Sequence, residues 1–275
     1  MPSIVRTTVK KVTADHVTDA DDLLASEEPL EIMLEYGTAG KRTRKSISVT
    51  MRTPGNDSEL AAGFLYTEGI IAGPQDIRSI EYTRPENDNI VCVSLAESAV
   101  PDTSKLERHF YTTSSCGVCG KASIEAVRIA CHVPDVPDDL RFTAAMIYQL
   151  PDRLRKQQAV FENTGGLHGC AIFDANGTLL LSREDVGRHN ALDKLIGAAL
   201  NSNSLPLDKH ILLLSGRASF ELIQKAIMAG IKAVAAVGAP SSLAAEMAEE
   251  WGMTLIGFLR GERFNIYSGA ERILI

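Results

Sequence analysis

The sequence predicts an α/β protein: a smaller strand-rich N-terminal part over residues 1–110, then a larger layered α/β part over residues 111–275. Three observations carry this. Short continuous apolar runs, ILLL (211–214) and AVAAV (233–237), alternate with amphipathic helical patterns, as expected of strands buried on both faces of a largely parallel sheet. The first hundred residues show instead a strand-like alternation of apolar and polar side chains. Between them, Ala96 to Arg108 is polar and interrupted by Pro101, which marks a boundary near residue 110.

In order, LEIMLEY (30–36) and KSISVTM (45–51) form the first strand pair, separated by Gly- and Lys-rich loop residues. Asp57-Ser58-Glu59-Leu60 opens a helical pattern that runs to Gly69, with Asp57 as the expected N-cap. Ile77 to Thr83 and Asn89 to Leu95 make a hairpin around Pro85-Glu86-Asn87. Helices are expected from Gly120 to about His132 and from Thr143 to about Gln157. His168 to Asp174 and Leu179 to Arg183 pair as strands, turning at Asn176-Gly177, a dipeptide suited to positive φ. Alternation then becomes regular: helix 186–200, strand 210–214, helix 220–229, strand 233–237, helix 243–251 and strand 254–259.

Composition excludes several classes of function. Of the 275 residues, 45% are hydrophobic and 23% charged, enough apolar material to bury a full core. The formal charge of -7 argues against general nucleic-acid binding, which draws on Lys and Arg to neutralise phosphates. No run of about 18 apolar residues occurs, so no membrane span is expected. The opening residues, MPSIVRTTVKKVTADH, carry no apolar core of signal-peptide length, so a cytoplasmic protein is expected. Its five cysteines, Cys92, Cys116, Cys119, Cys131 and Cys170, would then face a reducing compartment, and a stable structural disulfide is not expected.

Three expected strands end in suggestive loops: Ser215-Gly216-Arg217-Ala218-Ser219, Gly238-Ala239-Pro240-Ser241-Ser242, and Arg260-Gly261-Glu262-Arg263. In a parallel sheet these loops share the carboxyl edge, where ligands commonly settle. The first two also open helices, whose free N–H groups favour anions. Gly216 and Gly238 permit close backbone approach, and Arg217, Arg260 and Arg263 offer forked donors to phosphate. Taken singly, each loop reads as well as a helix cap, through Ser219 or Ser242, beside surface charge. Sharing one edge, Ser215, Gly216, Arg217, Gly238 and Ser241 point to a phosphate-bearing, nucleotide-like ligand.

A fourth cluster, REDVGRHN (183–190) continuing to Asp193, spaces Asp185, His189 and Asp193 by four and can place them on one helix face. A carboxylate beside His189 would orient its ring or raise its pKa, which makes His189 a further candidate. From spacing alone, the better reading is a capped helix start with a solvated charged face. Spacing alone leaves His168, between Gly165-Gly166-Leu167 and Gly169-Cys170, open between a functional and a structural imidazole.

The stretch TSSCGVCGK (113–121) carries the most distinctive chemistry. A structural zinc site normally needs four ligands, usually in two pairs, and only one Cys-x-x-Cys is present; zinc stays open with His168 as a third ligand, but the ligand set is incomplete. The phosphate-loop pattern fails because Gly117 to Gly120 is too short and Ala122 stands where a hydroxyl is required. A thioredoxin-like pair would sit at the first strand–helix junction of a small βαβ unit, whereas a long segment precedes this one. Nucleophilic thiol chemistry remains. A helix starting near Cys119 or Gly120 favours a thiolate, and Lys121 adds positive charge. The flanking Ser and Gly residues argue against an inert, buried pair.

Taken together, TSSCGVCGK (113–121), TGGLHGCAIF (164–173), REDVGRHNALDK (183–194), SGRASFELIQKA (215–226), GAPSSLA (238–244) and GFLRGERFNIYS (257–268) resemble, in order, the formate dehydrogenase accessory sulfurtransferase family, FdhD. ELAAGFLYTEGII (59–71) matches less distinctively. The resemblance implies a cytidine-deaminase-like fold for the larger domain and a homodimer. It implies a sulfur carrier that takes persulfide sulfur from a cysteine desulfurase and passes it to the bis(molybdopterin guanine dinucleotide) molybdenum cofactor of formate dehydrogenase, a cargo that guanine nucleotides would mimic. The family's persulfide position falls on Cys116, with Cys119 assisting or relaying. Its cofactor-binding stretch falls on Phe258, Leu259, Arg260, Gly261, Glu262 and Arg263. Two other readings stand beside it. A zinc deaminase would need H-x-E followed by P-C-x-x-C, yet this chain lacks H-x-E and the Pro, and His168 follows the pair. A cofactor-delivery chaperone would need no thiol chemistry.

Overall fold

The computed structural model describes residues 2–84, 87–99, 101 and 139–275. Cys116, Cys119, Lys121 and the helix expected at 120–132 lie outside the described residues. The protein is mixed α/β. Its chain begins with an antiparallel ribbon of β1 (Ile4–Val12) and β2 (Val17–Ala25). A four-stranded sheet follows, built from β3 (Glu28–Thr38), β4 (Lys41–Arg52), β5 (Ile77–Arg84) and β6 (Asn87–Leu95) in the order β4-β3-β6-β5. Both hairpins expected from the alternation form, and β3 and β6 pair in parallel at the centre.

Helix α1 (Asp57–Thr67) covers this sheet, burying Leu60, Ala61 and Leu65 against Leu30, Ile32, Leu34, Ile47, Val91 and Val93. Asp57 does not cap α1. Asn56 occupies the N-cap in the left-handed region at φ 57, and the Asp57 carboxylate instead takes the Arg52 guanidinium at 3.0 and 2.8 Å. A buried arginine needs a full counter-ion, and that demand outweighs a cap.

The larger unit holds β7 (Phe142–Thr143), α2 (Ala144–Arg155), α3 (Ala159–Thr164), β8 (His168–Phe173), β9 (Leu179–Asp185) and α4 (Arg188–Asn201). Next come β10 (Ile211–Leu214), α5 (Phe220–Met228), β11 (Ala233–Ala236), α6 (Ser242–Glu250), β12 (Thr254–Arg260) and β13 (Arg263–Ser268). The closing strand, β14 (Ile273–Leu274), pairs in parallel with β7. The main sheet runs β13-β12-β11-β10-β8-β9. It is mixed where a parallel sheet was expected. β9, β10, β11 and β12 run one way and β8 and β13 the other, because tight turns join β8 to β9 and β12 to β13, and a tight turn reverses the chain.

Both faces of the sheet are covered, which accounts for its unbroken apolar strands. Leu212, Leu214, Val234 and Ala236 face α4, α5 and α6, packing on Leu192, Leu195, Ile223 and Met247. Ile211, Leu213, Ala233 and Ala235 face α2, packing on Ile147, Leu150 and Leu154. Thus α4 lies between the two sheets. It meets α1 where Gly63 and Gly197 bring the two backbones together: a Cβ on Gly63 would lie 2.7 Å from the Asp193 carbonyl carbon and 2.8 Å from the Gly197 nitrogen. Among the described residues, no helix is long and apolar enough to cross a membrane.

Candidate functional site

The carboxyl ends of β10, β11 and β12 carry the three loops singled out above, and main-chain hydrogen bonds lock them together. The Gly238 N–H donates to the Gly216 carbonyl at 2.9 Å, Ala218 N–H to the Ala239 carbonyl at 3.2 Å, and Ser241 N–H to the Ala218 carbonyl at 3.0 Å. Phe258 N–H donates to the Gly238 carbonyl at 3.0 Å, which ties in the third segment. Packing here is close: a Cβ on Gly238 would sit 3.0 Å from the Arg217 backbone. The edge is therefore fixed in its ligand-free shape, as electrostatic recognition of an anion requires.

The third segment is a hairpin rather than a loop that opens a helix. Beyond its pairing with β11, β12 continues past the sheet edge, bulges between Gly257 and Arg260, and turns at Gly261-Glu262 into β13. Phe258, Arg260, Gly261, Glu262 and Arg263 are exposed on it, whereas Leu259 is buried in the core beneath α2. Phe258 is 43% exposed with φ at 54°. A left-handed aromatic residue costs roughly 1–2 kcal/mol, which its exposed ring does not offset by burial.

Arg217 and Ser241 are exposed at the same edge, and Ser215, Gly216 and Gly238 are partly so. The cap of α6 is Ser241, whose hydroxyl accepts the Ala244 N–H at 3.3 Å, where Ser242 was expected. Ser219 stands at the N-cap of α5 without a side-chain capping bond. Its hydroxyl lies instead 3.4 Å from Nε2 of His189.

The expected Asp185–His189–Asp193 face does not form. Helix α4 begins at Arg188, which leaves Asp185 at the end of β9. Asp185 binds Lys194 Nζ at 2.7 Å and accepts the Thr53 N–H at 3.1 Å and the Gly187 N–H at 2.8 Å. Asp193 binds Lys225 at 2.9 Å and accepts the Thr67 hydroxyl at 2.8 Å. Nor is the face solvated, because Asp185, Asp193 and Lys194 are all buried where α4 packs on the N-terminal unit. His189 finds its carboxylate on α5, with Nε2 2.8 Å from Glu221. Glu221 and Ser219 both meet Nε2, so the three do not make a relay in which acid and hydroxyl take opposite ring nitrogens.

His168, Arg188 and Arg217 complete the cluster. The amide of Gly169 donates to the Ser215 hydroxyl and the amide of Ser215 to the Gly169 carbonyl, both at 2.9 Å, which fixes the first loop beside His168. Burial first, then Arg188 and His189, hold the His168 imidazole below its ordinary range; Asp185 acts against them, and Arg217 adds a lesser lowering. Arg188 and Glu221 were not singled out from the sequence, and Ser219 was read only as a possible helix cap. Arg188 lay inside a quoted motif, but nothing in its spacing distinguished it from Arg183, which binds Glu59 on α1 at 2.6 Å.

Cys170 is buried, donates to the Ala191 carbonyl at 3.0 Å, and has its thiol pushed far up by burial. It is a core residue. Among the described residues, no group of three or more His, Cys, Asp or Glu side chains is placed to hold a metal.

With this geometry in place, comparison with known proteins is decisive about kinship. A model of the FdhD/NarQ family matches residues 25–274. The chain belongs to the FdhD/NarQ family. A protein named sulfur carrier protein FdhD from Streptomyces coelicolor is 50% identical over 279 residues, covering 98% of this chain and 95% of that one. Proteins of the same name from Mycobacterium tuberculosis and Sulfolobus acidocaldarius are 46% and 40% identical, each over 96% of both chains. In fold, the crystal structure of a protein assigned as a formate dehydrogenase accessory protein from Desulfotalea psychrophila superposes with a TM-score of 0.77 at 24% identity, covering 99% of this chain and all of that one. Of the six FdhD motifs read in the sequence, five lie on described residues, at or beside the carboxyl edge; the thiol motif does not.

Proposed function

We propose that this FdhD/NarQ protein is a sulfur carrier of formate dehydrogenase maturation, working in the cytoplasm as a homodimer. Cys116 accepts a persulfide sulfur from a cysteine desulfurase and passes it to the bis(molybdopterin guanine dinucleotide) molybdenum cofactor, which is substrate here, before insertion into formate dehydrogenase. The observation that carries the reading is near end-to-end identity of 50% with a protein named as a sulfur carrier. The chemistry of the residues supports it. In transfer, the Cys119 thiolate attacks the Cys116 sulfur, the S–S bond of the persulfide breaks as a Cys116–Cys119 disulfide forms, and the terminal sulfur leaves at the sulfide level to the acceptor, the two thiols supplying its two electrons.

The cargo carries several phosphates, and the loop edge suits them. Arg217, Arg260 and Arg263 offer exposed guanidinium groups, Ser215, Gly216, Gly238 and Ser241 supply small residues and main-chain donors, and His189 lies just beneath. Against a net charge of -7, a local arginine cluster directs an anion to this place rather than to the surface at large. Replacing Cys116 with Ala in cells that depend on the protein for formate dehydrogenase should abolish activation. Full activation by that variant would refute sulfur carriage and leave cofactor delivery alone.

A further inference from the structure

We propose that His168 is a conditional cation of this edge: neutral in the free protein, it becomes protonated when a phosphate-bearing ligand seats there, so that binding takes up a proton. The inference rests on the reading that the edge binds such a ligand, and adds to it a residue and a charge state. His168 opens β8, half-buried, with its ring against the main chain of the first loop. A methyl group on Gly216 would lie 3.3 Å from Nδ1 and 3.5 Å from Cε1 of the ring. A side chain at 216 would press on the imidazole, which lies close under the loop.

The charges around the ring explain its behaviour. Its cross-strand partner on β9 is Asp185, a carboxylate that favours the imidazolium. That carboxylate is already committed to Lys194, to the Thr53 and Gly187 amides, and to Asn190 at 3.2 Å. Arg188 and His189 on α4 and Arg217 on the loop all oppose a proton on the ring. Burial acts the same way, and acts most strongly. Arg188 has in addition a buried Nε with no hydrogen-bonding partner among the described residues. A phosphate between Arg188 and Arg217 reverses the sign of the local field, and an imidazolium then becomes a third positive partner.

The consequence follows from linkage. Because the free imidazole sits below its ordinary value of 6.5, and a bound anion raises it, a proton is taken up in the window between the two values. Affinity therefore rises as pH falls through that window, about tenfold for each unit by which the ligand raises His168. Above the window it is unaffected. Such a site discriminates by ligand charge and favours a nucleoside diphosphate over the nucleoside.

The test is calorimetric titration of the full chain with guanosine diphosphate near pH 6, in two buffers of different ionisation enthalpy. The wild-type protein should take up a fraction of a proton, and His168→Gln should not, beyond uptake by the ligand itself. The ligand's terminal phosphate titrates in the same range with both proteins, so their difference isolates His168. Affinities should agree within about twofold near pH 8 and differ by about tenfold near pH 5.5. His168→Asn serves as a second variant, and a thermal midpoint close to wild type for either one establishes that it is folded. Equal proton uptake by wild type and a folded variant would overturn the inference and leave the phosphate edge standing. Failure of wild type to bind the nucleotide at any pH would instead overturn the phosphate edge, and this inference with it.

Discussion

Replacing Gly63 with Ala tests how the two sheets are joined. The added methyl group would fall onto the Asp193 carbonyl oxygen, with the carbonyl carbon at 2.7 Å and the Gly197 nitrogen at 2.8 Å. A methyl on Gly197 meets the opposite helix in the same way, 2.7 Å from the Glu59 carbonyl carbon and 2.9 Å from the Gly63 nitrogen. These obstacles are main chain, which cannot turn aside, so α1 and α4 must part. Overpacking of this kind costs about 1–3 kcal/mol, and with rigid backbone on both sides the upper end applies. The better helix propensity of Ala returns about 1 kcal/mol, leaving about 2 kcal/mol net. At roughly 2–4 °C per kcal/mol for a chain of this size, the midpoint of thermal unfolding should fall by about 4–8 °C. Gly63→Ala with Gly197→Ala should cost less than the sum, because the first methyl already parts the helices. Differential scanning calorimetry reads all three variants. Midpoints within a degree of wild type would refute the backbone-to-backbone crossing.

Other expectations are more local. Lys225→Met leaves Asp193 buried without its cation and should cost about 3–5 kcal/mol in urea titration, while Lys225→Met with Asp193→Leu should recover most of it; equal losses would refute a paired site. Glu35 is held below the usual carboxylate range first by the Ser94 hydroxyl at 2.8 Å, then, against burial, by Arg44 and Arg42. A depressed carboxylate contributes stability above its unfolded pKa and loses it as pH falls through the folded one. The gap between wild type and Ser94→Ala should therefore be full at neutral pH and close below about pH 4; a gap constant with pH would contradict this. Alanine at Arg217, Arg260 and Arg263 together should weaken guanosine diphosphate binding, each contact being worth about 1.5–3 kcal/mol, and unchanged affinity would remove these residues from the site. Phe258→Gly relieves a left-handed residue and should leave the melting midpoint unchanged or raised; a large destabilisation would show that the ring is a packing residue.

Much of the larger unit is legible in the sequence because its strands are apolar on both faces and its helices on one. ILLL and AVAA each alternate their side chains between two cores, which leaves the run unbroken. The β12–β13 hairpin escapes this logic, since a run such as TLIGFLR shows no direction and only its turn decides pairing. The β1–β2 ribbon was not foreseen because Arg6, Lys10, Asp19 and Asp21 leave little apolar alternation; it pairs these charges across strands, with Lys10 and Asp19 2.8 Å apart. At the site, glycines and arginines of the loops could be read as ligand contacts because a parallel strand fixes which end its loop leaves. The charges of α4 could not. Asp185, Asp193 and Lys194 look like a solvated face until Thr53, Thr67 and Lys225, distant in sequence, close around them. His168 acquires its character from burial and from Arg188, His189, Asp185 and Arg217 around it, and no spacing in the chain announces that meeting.

Mass spectrometry of the full chain after incubation with a cysteine desulfurase and cysteine is the most direct test of sulfur carriage. One added sulfur atom is expected, mapped to the peptide that holds Cys116, removed by a thiol reductant and absent from Cys116→Ala. A chain whose mass never changes under these conditions, while the desulfurase turns over, would contradict the account at its root.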